Sequence, residues 1–264
     1  MEAFRKKLLK NICEIDALKD LSFKFDDGSQ IKVNRTLLGA SCLYFQRFLF
    51  GETNEANQSV IELKSTPKEL FEQVLEFLYS GKCDLSKLSE DRVIDLIQLA
   101  HEYQFDELLL YLQSIVEYKY FSVTFCVNLF DFLNIAELVV WKEQCLTYFD
   151  KIFCNVVNTE IFGKFSRSLV NHLTCRDTFV MKEIDLFNCL LKWKEMNKDE
   201  QQDGLFSNLR LNLIGIHDFS RLVIPANVIN GNDYITALDE KRFRERKPNG
   251  LREQHPPRCN PPPD

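Results

Sequence analysis

The chain has 264 residues, a formal net charge of -6, 45% hydrophobic and 27% charged residues, and 9 cysteines. That length suits one large domain or two ordinary ones, each able to bury a core. The mildly acidic balance argues against a nucleic-acid-coating protein, and no run of about 18 apolar residues exists to span a membrane.

Residues Met1–Lys10 carry Arg5, Lys6, Lys7 and Lys10 with no apolar stretch after them, so no secretory leader is read there. Phe4, Leu8, Leu9, Ile12, Ile15 and Leu18 recur at three- and four-residue steps, which predicts an amphipathic helix. Leu21, Phe23 and Phe25 alternate with polar residues, Asp27-Gly28 is a tight-turn signal, and Ile31 and Val33 resume the alternation. Residues 21–33 therefore read as a β-hairpin. Helical periodicity covers 35–50, then a polar loop runs from Gly51 to Gln58 before a short strand at Val60, Ile61 and Leu63. Thr66-Pro67 is read as a helix start, with Thr66 as the cap and Pro67 at the first helical position, and Gly81 as its end. Further helices are expected over 89–103 and 106–119.

Beyond Tyr120 the strand pattern stops, and 121–240 reads as successive helices with Ser122, Asn158 and Ser166 as candidate caps. Glu183–Asn197 is clearly amphipathic. The change from mixed to all-helical pattern marks a domain boundary near 120. From Lys241 the chain turns basic and then proline-rich, which predicts a disordered tail or linker over 241–264.

Chemistry-bearing motifs are scarce. The histidines His101, His172, His217 and His255 lack metal-ligand spacing, and His172 with Cys175 has no second pair, so no metal site and no cofactor are expected. Phosphate-cradling glycine loops and nucleophile-elbow motifs are missing, leaving only a Cys–His pair brought together by folding as an enzymatic reading. The odd number of cysteines without regular spacing suits reduced thiols, mostly as small buried apolar residues, in the cytoplasm or the nucleus. The basic run Lys241, Arg242, Arg244, Arg246 and Lys247 is interrupted by Glu240 and Glu245. It reads as a solvated helix end and linker, with a nucleic-acid or import-receptor contact as the alternative.

A family resemblance is carried by anchors in order along the first half. They are Asp20–Phe25 (DLSFKF), Asn34–Phe45 (NRTLLGASCLYF), Ile61-Glu62-Leu63, Pro67–Phe71, Val74–Gly81 and Leu96–Leu108. This succession resembles the BTB (POZ) domain. Arg176–Phe187 and Leu190–Trp193 in the second half resemble the late helices of the BACK domain. The resemblance implies an α+β BTB domain over 1–120, a short β-sheet flanked by helices, followed by an all-α BACK helical-repeat domain over 121–240.

It also implies a non-enzymatic, homodimeric protein–protein adaptor that recruits an unknown client to a cullin-3 type ubiquitin ligase. A dimeric scaffold without ligase coupling is the alternative. The implied dimer interface holds Leu8, Leu9 and Ile12 of the first helix, packed across the dimer or folded back on its own domain. Asp20 and Arg35 complete it as a buried charged pair. The implied cullin contact gathers Phe48, Thr53, Glu55, Tyr103 and Phe105. Two positions depart from the family pattern: Asn34 stands where the family has a histidine, and Thr53 stands at the apolar place of the hydrophobic-x-Glu motif.

Overall fold

In the computed structural model, which describes residues 2–156, 159–200 and 202–246, the chain divides into two compact units, 1–125 and 126–264. In the first unit, β1 (Leu21–Phe25) and β2 (Gln30–Val33) form the expected antiparallel hairpin, with Leu21 opposite Val33 and Phe23 opposite Ile31. Gly28 takes φ +81° in the turn, where a side chain would be strained. β3 (Val60–Leu63) joins the other side of β1 in parallel, giving the order β2-β1-β3. The period-2 alternation sends Leu21, Phe23, Phe25, Ile61 and Leu63 into the core. Phe71 sits at its centre, its ring 5.2 Å from Phe23, 5.7 Å from Phe25 and 6.3 Å from Phe45.

The helical stretch expected over 35–50 is two helices, α2 (Arg35–Gly39) and α3 (Leu43–Phe50), with Cys42 extended between them. The Ser41 hydroxyl donates to the Leu38 carbonyl at 2.6 Å, an alternative to continuing the helix. The helix after β3, α4 (Lys68–Ser80), ends at Gly81 in the left-handed conformation, as expected. Its start differs: Pro67 is the N-cap, and the Thr66 hydroxyl bonds the buried Tyr103 phenol at 2.9 Å instead of capping the helix. α5 (Glu90–Glu102) is capped by Ser89, and α6 (Asp106–Ile115) stops short of the expected Lys119 because Val116 is extended and buried.

The N-terminal helix α1 (Glu2–Glu14) packs on α4. The half-buried Tyr79 of α4 is pushed up to about 12, first by burial and then by Cys13. A tyrosine raised in the folded state above its unfolded value of about 10 stabilises fully below the unfolded value. That stability is lost as pH climbs through the folded one. The first unit is therefore expected to weaken between about pH 10 and 12. Urea melts of wild type and Tyr79→Phe across that window check this: the variant's midpoint should fall less steeply, and parallel curves would refute it.

The second unit contains, among the described residues, helices only. The division falls within α7 (Val123–Ile135), and α8 (Val139–Val156), α9 (Thr159–Phe162), α10 (Arg167–Cys175) and α11 (Glu183–Met196) follow. α12 (Ile216–Asp218), a π turn (Phe219–Val223) and α13 (Ile224–Ala226) form one run before α14 (Gly231–Arg246). Ser122 and Ser166 accept the backbone N–H groups of Phe125 and Leu169, each at 3.1 Å, as the caps expected of them. Asn158 lies outside the described residues. Trp193 is fully buried and donates its indole N–H to the Phe165 carbonyl at 2.8 Å. The basic run expected to begin a linker at Lys241 is helical through Arg246, with Arg242 3.8 Å from Asp239. Lys247 and the proline-rich tail lie outside the described residues.

Candidate functional site

The first unit carries an open groove of about 770 Å³ along β3, between that strand and the ends of α3 and α5. Helical spacing on α3 puts Tyr44 and Phe48 on one face, and the rings stack at 5.6 Å. Tyr103, at the C-terminus of α5, also stacks on Tyr44, at 5.0 Å. This aromatic wall faces Val60, which is exposed on β3. Glu55, Glu62 and Glu102 line the groove with three carboxylates, Glu62 paired with Lys24 at 3.0 Å, and Lys64 adds one cation. The Tyr44 phenol is held above its ordinary value by burial first, then by Cys42, Glu55 and Glu102. A groove of this kind offers apolar ring faces and negative charge at once, which suits a partner side chain with an apolar body and a polar or cationic end.

The loop after α3 borders the groove. Thr53 is half-buried, and its hydroxyl donates to the Phe48 carbonyl at 2.8 Å, which leaves its methyl as the apolar part. Glu55 stands in the short turn Asn54–Asn57. Of the implied contact residues, Phe48, Glu55 and Tyr103 line the groove, Tyr103 as a buried wall, and Thr53 is tied to it through the Phe48 carbonyl. Phe105 does not belong with them. It is buried at the start of α6, 5.7 Å from the Phe77 ring, because the chain turns inward at the α5–α6 connection. Tyr44, Val60 and Glu102 were absent from the sequence-based set. Tyr44 was legible as part of the Tyr-Phe anchor, whereas Val60 and Glu102 reach the groove only through the packing of β3 against α5.

Asp20 and Arg35 do not form the buried charged pair implied by the resemblance. Asp20 is exposed, and its carboxylate accepts the backbone N–H of Arg35 at 2.8 Å. The half-buried guanidinium donates instead to the carbonyls of Leu49 at 3.2 Å, Ala56 at 2.9 Å, and Gln58. Their surroundings match expectation, since Leu21 and Leu38 are buried. Asn34, at the family's histidine position, caps α2 by accepting the Leu37 N–H at 2.8 Å and donates to the Leu18 carbonyl at 2.8 Å. On α1, Leu8 is 48% exposed and Phe4 68%, while Leu9 and Ile12 are half-buried. With Ile15 and Leu18 also exposed, the apolar stripe remains open even though α1 packs on its own unit.

Elsewhere the chemistry is that of a packed interior. His172 sits with Nδ1 2.8 Å from the Ser168 carbonyl and its ring against Phe130, while Cys175 is exposed. Burial pushes the Cys83 thiol up to about 11 and Cys189 up to about 12, well away from thiolate chemistry. Among the described residues, no three His, Cys, Asp or Glu side chains gather as a metal site. No helix among them is long and apolar enough to cross a membrane.

The BTB/POZ domain family model matches residues 9–120, and the BACK model, described as BTB And C-terminal Kelch, matches 126–223. BTB/POZ domain-containing protein 9 of Drosophila melanogaster is 25% identical over 233 residues, 88% of this chain and 32% of its own length. The Homo sapiens protein of that name is 27% identical over 217 residues, 80% of this chain and 35% of its own. Human Kelch-like protein 11 is 24% identical over 231 residues, 83% of this chain and 32% of its own. The chain thus spans about a third of the length of the curated relatives it matches. A solved BTB domain, that of human gigaxonin, aligns with a TM-score of 0.36 at 22% identity, covering 44% of this chain and 90% of that one. The chain belongs to the BTB/POZ–BACK family, an α+β BTB domain followed by an all-α BACK domain.

Proposed function

We propose that the chain is a homodimeric, non-catalytic adaptor whose BTB groove receives cullin-3 and whose BACK domain spaces a client protein from the ligase. Ubiquitin transfer then belongs to other subunits, in the cytoplasm with the nucleus as a second location. The observation that carries this reading is the convergence of Phe48, Glu55 and Tyr103 on one groove, with Thr53 of the adjoining loop bonded to the Phe48 carbonyl. The relatives named Kelch-like add support for an interaction role of adaptor type.

The contact is expected to be weak for its class. A Leu or Met side chain filling an apolar pocket contributes about 1.5–3 kcal/mol, and Thr53 supplies one methyl because its hydroxyl is committed to Phe48. Thr53→Met should recover most of that difference and lose a hydrogen bond of about 0.5–1.5 kcal/mol. The net tightening is on the order of tenfold. Calorimetric titration with the cullin-3 N-terminal region checks this. Met at 53 should tighten binding and Glu55→Ala should weaken it. Strong wild-type binding indifferent to both changes would place the contact elsewhere. The single Thr53 methyl also favours the second reading, a dimeric scaffold without ligase coupling, which absence of binding by every variant would favour further.

A further inference from the structure

We propose that Arg35 is a positioning residue: without touching the partner, it holds the 49–58 loop in the one arrangement that places Glu55 on the groove and Thr53 against the Phe48 carbonyl. The role assigned to the loop rests on the adaptor reading above; the clamp itself does not.

The base of Arg35 is fixed from both sides. Its backbone N–H is held by Asp20, and the preceding Asn34 caps α2 while reaching back to the Leu18 carbonyl. From that fixed point the guanidinium meets three carbonyls that are distant along the chain. Leu49 lies in the last turn of α3, where carbonyls lack intrahelical partners. Ala56 lies inside the turn that carries Glu55, and Gln58 stands just before β3. One planar cation therefore ties together the helix end, the turn and the strand entry. Its five N–H donors in a rigid fork serve several acceptors at once, whereas a lysine ammonium is a single point with a different reach.

The other bonds of the loop are local. Thr53 donates its hydroxyl to the Phe48 carbonyl, and the Ala56 and Gln58 N–H groups reach the Thr53 and Glu55 carbonyls at 3.4 and 3.1 Å. These shape the turn but do not anchor it to the sheet frame. Gly51, Glu52, Asn54, Asn57 and Gln58 are exposed and add little packing. Without the guanidinium the loop becomes an ensemble, and apparent affinity falls by the fraction still correctly placed.

The experiment uses the full chain with Arg35→Lys, which keeps the charge, and Asp20→Asn, which keeps the guanidinium but weakens its footing. Amide exchange should accelerate at least tenfold across 51–58 in Arg35→Lys, and two- to threefold in Asp20→Asn, with Phe23 in β1 and the α10–α11 helices unchanged. Titration with the cullin-3 N-terminal region should show at least tenfold weaker binding for Arg35→Lys. The gain from Thr53→Met should vanish in that background, a coupling that a general stabilising role would not produce. Unchanged loop exchange, or equal acceleration in the sheet, overturns the clamp, as does full affinity with a loosened loop. If wild type binds no cullin-3, the adaptor reading fails alone, and loop-selective exchange still decides for or against the clamp.

Discussion

Phe71→Ala is expected to lower the cooperative unfolding transition of the BTB domain toward the physiological range. The Phe71 ring is fully buried and touches both neighbouring ring systems of the sheet, Phe23 and Phe25, as well as Phe45 of α3. Removing a buried phenyl costs about 3–5 kcal/mol through lost transfer energy and the cavity left behind, against a domain stability of about 5–15 kcal/mol. For a domain of this size that loss corresponds to a midpoint drop on the order of 20 °C. Hydrogen exchange with mass spectrometry locates the effect. Amides of β1 and α4 should lose protection while those of α10 and α11 keep it. Trp193→Ala should do the reverse, since that fully buried indole also anchors the Phe165 carbonyl. Retained protection in β1 after Phe71→Ala would mean that the core sits elsewhere.

Leu8→Asp should convert a dimer into a single chain of 31.0 kDa without unfolding it. Leu8 is already 48% exposed in the isolated chain, so a carboxylate there stays hydrated and costs the fold little. Across a dimer interface the same carboxylate has to leave water without a partner, a penalty of several kcal/mol. Phe4, Ile15 and Leu18 extend the exposed stripe that such an interface would cover. Ile12 is half-buried, so a charge there would also strain the unit itself; the single substitution at Leu8 separates association from folding. Sedimentation velocity at micromolar concentration should give twice the chain mass for wild type and Leu8→Met, and the single mass for Leu8→Asp, with unchanged circular dichroism. A wild-type chain that already sediments at the single mass would end the dimer proposal.

Much of the fold was legible because it rests on local rules. Period-2 alternation with Asp27-Gly28 placed the hairpin, Gly81 ended α4, and Ser122 and Ser166 mark helix starts with their own hydroxyls. The groove was half legible. Phe48, Thr53 and Glu55 lie close together in the chain and came with the family anchors, whereas Val60 and Glu102 join them only through packing of separate elements. The assignments that failed concern side chains with more than one available partner. Thr66 was near enough to cap α4 but found the Tyr103 phenol in the interior. The resemblance implied a pairing of Arg35 with Asp20, yet the Arg35 fork went to three carbonyls, and Asp20 took the backbone N–H instead.

Sequence alone determined the order of elements and the change from a mixed to a helical unit, because turns, caps and apolar periodicity act over a few residues; the BTB–BACK membership followed from family anchors in order along the chain. Tertiary structure alone decided which polar atoms meet. It broke the 35–50 helix at Cys42, buried Phe105 against Phe77, and brought Arg35 to Leu49, Ala56 and Gln58. The physical reason is the cost of leaving a buried donor or acceptor unmet. Each such group takes whichever partner the packed chain brings within reach, and that partner can stand far away in sequence.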